Sequence, residues 1–153
     1  MGIKVISKNK KAFHDYEIGD SFEAGIALVG TEVKALRGGK VNLGDGWIDI
    51  NPDGEAILKQ AQIGHYSHGN IMNHEERRPR KLLLHRREIV KLERAVTEKG
   101  LSIVPLKIYF KGRYIKLEVA LAKGKKAFDK RESAKKKDAN KEIQRAMKLR
   151  AKS

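Results

Sequence analysis

The chain has 153 residues, the length of one ordinary domain, and its 34 Lys and Arg against 19 Asp and Glu give a formal net charge of +15. An excess of that size repels itself and is most simply neutralised by a polyanion, so nucleic acid leads the partner classes. The absence of cysteine excludes a disulfide scaffold, an iron–sulfur cluster and a thiolate zinc site, and fits a reducing cytoplasmic compartment.

No apolar run is long enough to cross a bilayer and no apolar signal segment opens the chain, so no membrane partner is expected. Charge is uneven. From Lys123 to Ser153 there are 13 basic and 4 acidic residues, or +9, which leaves +6 for residues 1–122. A mildly basic body over 1–122 and a strongly basic tail over 123–153 are expected.

The first dozen residues, with Ser7-Lys8-Asn9-Lys10-Lys11, read as a flexible basic arm entering structure near Ala12. From Ser21, Phe22, Ala24, Ile26 and Leu28 alternate, as a strand with one buried face requires. Thr31 is placed to cap a short helix through Arg37 that Gly38-Gly39 ends. Trp47, Ile48 and Ile50 lead into the turn Asn51-Pro52-Asp53-Gly54, with a return strand between Glu55 and Ile63. Residues 64–79 are polar and without period, and read as a long loop.

Arg80–Leu84 reads as a strand. His85 and Glu88 stand in capping-box spacing before a helix whose stripe is Ile89, Leu92 and Val96 and which Gly100 closes. Val104, Leu106, Ile108 and Phe110 alternate, Lys111-Gly112-Arg113 turns, and Ile115, Leu117, Val119 and Leu121 alternate back. Short strands mixed with two or three helices favour a mainly β fold with flanking helices, a small OB-like barrel.

In that last hairpin, burying Val104 to Phe110 and Ile115 to Leu121 at a period of two puts Lys107, Tyr109, Tyr114, Lys116 and Glu118 on the opposite face. Cations among aromatics can hold phosphates and stack bases, as OB-like barrels do; the same pattern also suits a solvated face with snorkelling lysines. Beyond Phe128, the tail has Ile143, Met147 and Leu149 as its sizeable apolar groups, too few to repay ordering alone. It is expected to be disordered when free and helical when bound to an anion.

His65, His68 and His74 share one loop, but their spacing matches no ligand pattern, so no metal and no cofactor are expected. His14, Asp15, Glu17, Asp20 and Glu23 lack any accompanying nucleophile or phosphate-loop motif and read as a solvated acidic patch, not as a catalytic set.

Several segments in order, Asn9-Lys10-Lys11-Ala12-Phe13-His14-Asp15-Tyr16, Phe22-Glu23-Ala24-Gly25, Gly30-Thr31-Glu32-Val33-Lys34-Ala35-Leu36-Arg37, Arg80–Leu84, Ala122–Lys126 and Asp129-Lys130-Arg131, resemble the SmpB family over essentially the whole chain. The resemblance implies an OB-like barrel that binds the tRNA-like domain of transfer-messenger RNA (tmRNA, SsrA) and stands in for its missing anticodon arm. It also implies a tail that enters the empty messenger channel of a stalled ribosome as a helix, with charged tmRNA delivered by elongation factor Tu. The protein would act as a monomeric adaptor, not as an enzyme.

By the same resemblance, Asn9, His14, Tyr16, Glu23, Leu83 and Lys116 hold the RNA or shape its surface. Lys107, Tyr109, Tyr114, Lys123, Lys125 and Lys126 join them from the residue pattern. Asp129, Lys130 and Arg131, with Lys135, Lys136, Lys137, Lys141, Arg145, Lys148 and Arg150, are expected to act on the ribosome, Asp129 capping the tail helix. Glu23, a carboxylate, cannot pair with phosphate; it is left with a base edge, a ribose or a basic neighbour. Two departures stand out: Ala35 where the family commonly has Ser, and His85 where it commonly has Asn. A general single-strand RNA-binding barrel and an RNA-cleaving enzyme using His14 are the competing readings.

Overall fold

A computed structural model describes residues 2–66 and 73–125. Its elements are β1 (Ile3–Lys8), α1 (Lys10–Asp15), β2 (Tyr16–Ile26), α2 (Gly30–Arg37), β3 (Val41–Asn42), β4 (Trp47–Ile50), β5 (Ala56–Lys59), β6 (Gln62–Ile63), β7 (Arg80–Leu83), α3 (Arg86–Lys99), β8 (Ser102–Lys111) and β9 (Tyr114–Gly124). Seven strands form one sheet in the order β1-β8-β9-β2-β7-β5-β4, with every pairing antiparallel. β3 and β6 form a separate ribbon.

The sheet curls until β4 lies against β8, but no strand pairing joins them, so the expected closed barrel is not found and β1 and β4 remain edges. The core fills the concave side. Ala24, Leu58, Leu82, Ile108, Leu117 and Val119 come from the sheet, Leu36 from α2, and Leu92 and Ala95 from α3. On α3 the buried positions are Leu92 and Ala95, while Val96 is 38% exposed, which rotates the stripe from its expected centre. Gly100 adopts the left-handed conformation that ends α3. At its start Glu88 accepts the backbone N–H of His85, but the His85 side chain makes no cap bond.

Two expectations are corrected. The presumed flexible arm is strand β1, paired with β8 from Ile3 opposite Lys111 to Lys8 opposite Lys107. Its Ile3 and Val5 are exposed, and apolar groups left outside among lysines look like a solvated arm in sequence. The unbroken alternation expected of β8 is interrupted by a bulge. Pro105 faces Val119 and Lys107 faces Glu118, so Leu106 is one residue extra. Val104 and Leu106 therefore point to the convex side, where they pack with Ala12, Ala120 and Ala122 under α1, while Ile108 returns to the main core. A proline, which cannot donate to the ladder, is tolerated at such a bulge.

Asn9 seals this irregularity. Its backbone N–H donates to the Leu106 carbonyl, its Nδ2 donates to the carbonyls of Pro105 and Leu43, and its Oδ1 caps α1 by accepting from Ala12 N–H. α2 is held by a buried ionic cluster. Glu32 and Arg80 are both fully buried; Glu32 accepts Arg80 Nε at 2.5 Å, Arg78 Nη2 at 2.6 Å and the Val29 N–H at 2.9 Å. Arg80 spends its remaining donors on the carbonyls of Ala61, Glu75 and Glu76. Burial alone would raise the Glu32 carboxyl pKa, but the bonds from Arg78, Val29 and Arg80 outweigh it and hold the group below the usual carboxylate range.

Thr31 does not cap α2, which begins after Val29. Its hydroxyl meets Nδ1 of His74, whose Nε2 reaches the Ile63 carbonyl. Both ring nitrogens of His74 are thereby engaged within the fold; His65 sits edge-on against it, and His68 lies outside the described residues. β9 continues through Lys123 and Gly124.

Candidate nucleic-acid interface

The convex face of β2, β8 and β9 is built by cross-strand registration. Leu83 pairs with Gly25, Gly25 with Lys116, Lys116 with Tyr109, and Tyr109 with Val5. This row crosses five strands, about 19 Å at the usual strand spacing. Beside it Glu23 faces Glu118, and Glu118 faces Lys107. Leu83 lies close over Gly25, where a Cβ would stand 3.2 Å from Leu83 Cβ and would push that side chain aside by a few tenths of an ångström, while Leu83 keeps 59% of its surface exposed.

Charges on this face are tied together. Tyr109 donates its hydroxyl to Glu23 Oε2 at 2.5 Å, and Lys111 Nζ donates to Glu23 Oε1 at 3.1 Å. Lys107 Nζ stands 3.4 Å from Glu118 and 5.4 Å from the Tyr109 ring centroid. The Tyr109 bond, followed by Lys111, brings the Glu23 pKa down despite some desolvation. Burial, and then the same bond seen from the other side, pushes the Tyr109 phenol well above its ordinary value.

Tyr109 is only 3% exposed, so its ring is closed to base stacking. Tyr114 is 54% exposed and lies within cation–π range of Arg113 and Lys116, which makes it the aromatic open to a base or ribose. The Lys116 ammonium forms no ion pair among the described residues and is free to meet a phosphate.

Tyr109→Phe tests the coupling. The Glu23 carboxyl should titrate closer to the ordinary glutamate value, followed by side-chain carboxyl NMR. A lowered carboxylate pKa contributes stability that is present above the ordinary value and lost as pH falls through the lowered one. The variant should therefore lose about 0.5–1 kcal/mol at neutral pH, small because Glu23 is partly solvated, with the gap closing on acidification. An unmoved Glu23 midpoint would remove Tyr109 as the cause.

The other expected residues divide. His14 is exposed on α1 and meets Asp15 at 2.9 Å, Tyr16 is half-buried against the small convex core, and Lys125 Nζ reaches the Phe13 carbonyl at 3.4 Å; these three lie near α1, at the far end of β2 and β9 from Glu23. Lys123 lines a different groove with Arg87, Lys91 and Arg94 of α3. Lys126, Asp129, Lys130, Arg131, Lys135, Lys136, Lys137, Lys141, Arg145, Lys148 and Arg150 lie outside the described residues. Two convex-face cations, Lys8 and Lys111, were not singled out from sequence. Lys8 was hidden in the presumed arm, and Lys111 in a turn that shows nothing of Glu23, 88 positions away.

Comparison with known proteins decides the family. The family model described as "SmpB protein" matches residues 6–149. The chain belongs to the SmpB family. It is 54% identical over 147 residues to an SsrA-binding protein of Carboxydothermus hydrogenoformans, covering 96% of this chain and 98% of that one. It is 53% identical over 153 residues to one of Geobacter metallireducens, covering 100% and 99%. A chain of the solved structure "tmRNA-SmpB: a journey to the center of the bacterial ribosome" superposes with TM-score 0.67 at 50% identity, over 79% of this chain and 85% of that chain.

Among the SmpB positions, Glu23, Leu83 and Lys116 share the convex face, and His14 and Tyr16 sit at α1. Asn9 is 3% exposed, with its amide spent on internal bonds. Its contribution in this structure is to set α1 and the β8 bulge. Among the described residues no helix is long and apolar enough to cross a membrane.

Proposed function

We propose that this chain is an SsrA-binding protein, a non-catalytic factor that binds tmRNA and acts with it on the ribosome in trans-translation. The observation that carries the reading is identity above half, over nearly the full length, to SsrA-binding proteins. The convex face supports it chemically: Lys116 and Tyr114 stand open, Glu23 holds Tyr109 and Lys111 in place, and Leu83 offers an apolar platform. In this reading the curled sheet is an OB-like barrel left open between β4 and β8. It grips the tRNA-like domain of tmRNA in place of an anticodon arm.

Segment 126–153 then serves the ribosome. Asp129 starts a helix in the empty messenger channel, near the decoding centre, and the lysines and arginines after it meet ribosomal phosphates. Elongation factor Tu takes part through the charged RNA, and the protein works as a cytoplasmic monomer. The test is competition binding of the full chain to tmRNA, ordinary tRNA and single-stranded RNA across a salt series. tmRNA should win at every salt, with affinity falling linearly on a log–log plot as counterions are released. Equal affinities would make this a general RNA-binding barrel. RNA turnover that His14→Ala abolishes would make it a nuclease.

A further inference from the structure

The open seam between β4 and β8 contains a hollow of about 450 Å³ roofed by α3, within the roughly 300–1,000 Å³ of small-ligand sites. Its wall is apolar and aromatic, with Tyr16, Trp47, Val96 and Ile103. Trp47 is 43% exposed, and the Lys59 ammonium lies 5.3 Å from its ring centroid. α3 lends the hollow one flank: Glu93, Val96 and Thr97 line it, and their i, i+3, i+4 spacing puts them on a shared face. The cations Arg87, Lys91 and Arg94 of the same helix line a different groove. Glu93 makes no ion pair among the described residues, whereas Asp49, also at the hollow, is held by Lys59 at 2.9 Å.

An open indole beside one unclaimed carboxylate has a definite selectivity. An ionised carboxylate only accepts hydrogen bonds, and its two oxygens suit a planar group that presents two adjacent N–H donors. Among the bases of RNA, guanine alone offers such a pair on its Watson–Crick edge, N1–H and the N2 amino group. Adenine and cytosine offer one amino group beside an acceptor, and uracil one N–H between two carbonyls. We propose that this hollow holds a guanine left unpaired in RNA, stacked on Trp47 with its Watson–Crick edge on Glu93. That edge is spent inside a duplex, so the site selects a guanine in a loop or bulge. An arginine-bearing peptide would also suit an indole and a carboxylate, but a chain of net charge +15 repels it and attracts the polyanion. The inference rests on the RNA-binding reading above and adds to it a base-specific contact that the convex face does not supply.

Trp47 is the single tryptophan, so its emission reports on the hollow. The full chain is titrated at near-physiological salt with single-stranded RNA heptamers of uridine carrying one central guanine, adenine or inosine. The guanine heptamer should bind about tenfold tighter than the adenine one, and inosine, which lacks the N2 amino group, should fall between them. Glu93→Gln replaces an exposed side chain that holds no ion pair, so the fold should be unaffected. It should erase the guanine preference and leave the adenine heptamer's affinity unchanged. Equal affinities for guanine and adenine, or a preference that survives Glu93→Gln, would overturn the inference. Binding of tmRNA, measured alongside, separates the two readings: if tmRNA binds while the heptamers are not distinguished, this inference falls alone, and if tmRNA does not bind, the reading beneath it falls too. Guanosine monophosphate binding as tightly as the guanine heptamer would overturn RNA as the source in favour of a free nucleotide. Tighter binding of an arginine-rich peptide at Trp47 would overturn it in favour of a protein partner.

Discussion

Glu32→Gln is expected to lower the unfolding free energy by about 3–5 kcal/mol, because it leaves the Arg80 guanidinium buried without its counter-charge. Arg80 and Glu32 are both fully buried and joined at 2.5 Å, and the pair ties α2 to β7. Against a typical domain stability of about 5–15 kcal/mol, that loss is a large fraction, and a urea melt at neutral pH measures it. Glu32→Gln combined with Arg80→Met should recover much of the loss, since an apolar replacement removes the stranded charge as well. A cost below about 1 kcal/mol for the single variant would mean that the cluster is solvated in solution.

The same cluster gives a pH signature. The Glu32 pKa is lowered in the folded chain, so its contribution is complete above the ordinary glutamate value and disappears as pH falls through the lowered one. Unsubstituted protein should therefore lose stability more steeply on acidification than Glu32→Gln.

Lys116→Ala carries the second large effect. Lys116 holds the middle register position of the five-strand row, between Gly25 and Tyr109, and makes no ion pair among the described residues. Loss of one charge-assisted phosphate contact should weaken tmRNA binding by about 1.5–3 kcal/mol, or ten- to hundredfold. The log–log salt slope should become shallower by about 0.7–0.9 while thermal stability stays within about 0.5 kcal/mol. Weaker binding with an unchanged slope would say that Lys116 supports the surface without touching phosphate.

How far the fold could be read depended on where its causes lie along the chain. The β8–β9 hairpin and α3 were legible because the turn Lys111-Gly112-Arg113, the Gly100 stop and the apolar periods are all local. The Arg80–Glu32 pair, 48 positions apart, and the Tyr109–Glu23 bond, 86 apart, were not, because nothing local marks either partner. Tyr109 was placed on the correct face, but its burial depended on neighbours that only strand registration supplies. β1 was missed for the opposite reason: an edge strand that shows Ile3 and Val5 to solvent hides the apolar pattern that would identify it. The convex site was half readable, since the period of β9 gave Lys116 and Tyr114, whereas Lys8, Lys111 and the role of Glu23 needed the third dimension.

The extra residue at Leu106 lets β8 carry two hydrophobic reading frames, one ending at Leu106 and the other beginning at Ile108. Substitutions on either side can drift independently, and deleting Leu106 would only smooth the bulge away, but a one-residue deletion at Ile108 acts as a frameshift of faces. It would offer Tyr109 and Lys111 to the core and Phe110 to the convex side. In a lineage of such proteins the length of this strand should be guarded more closely than the identity of any residue along it.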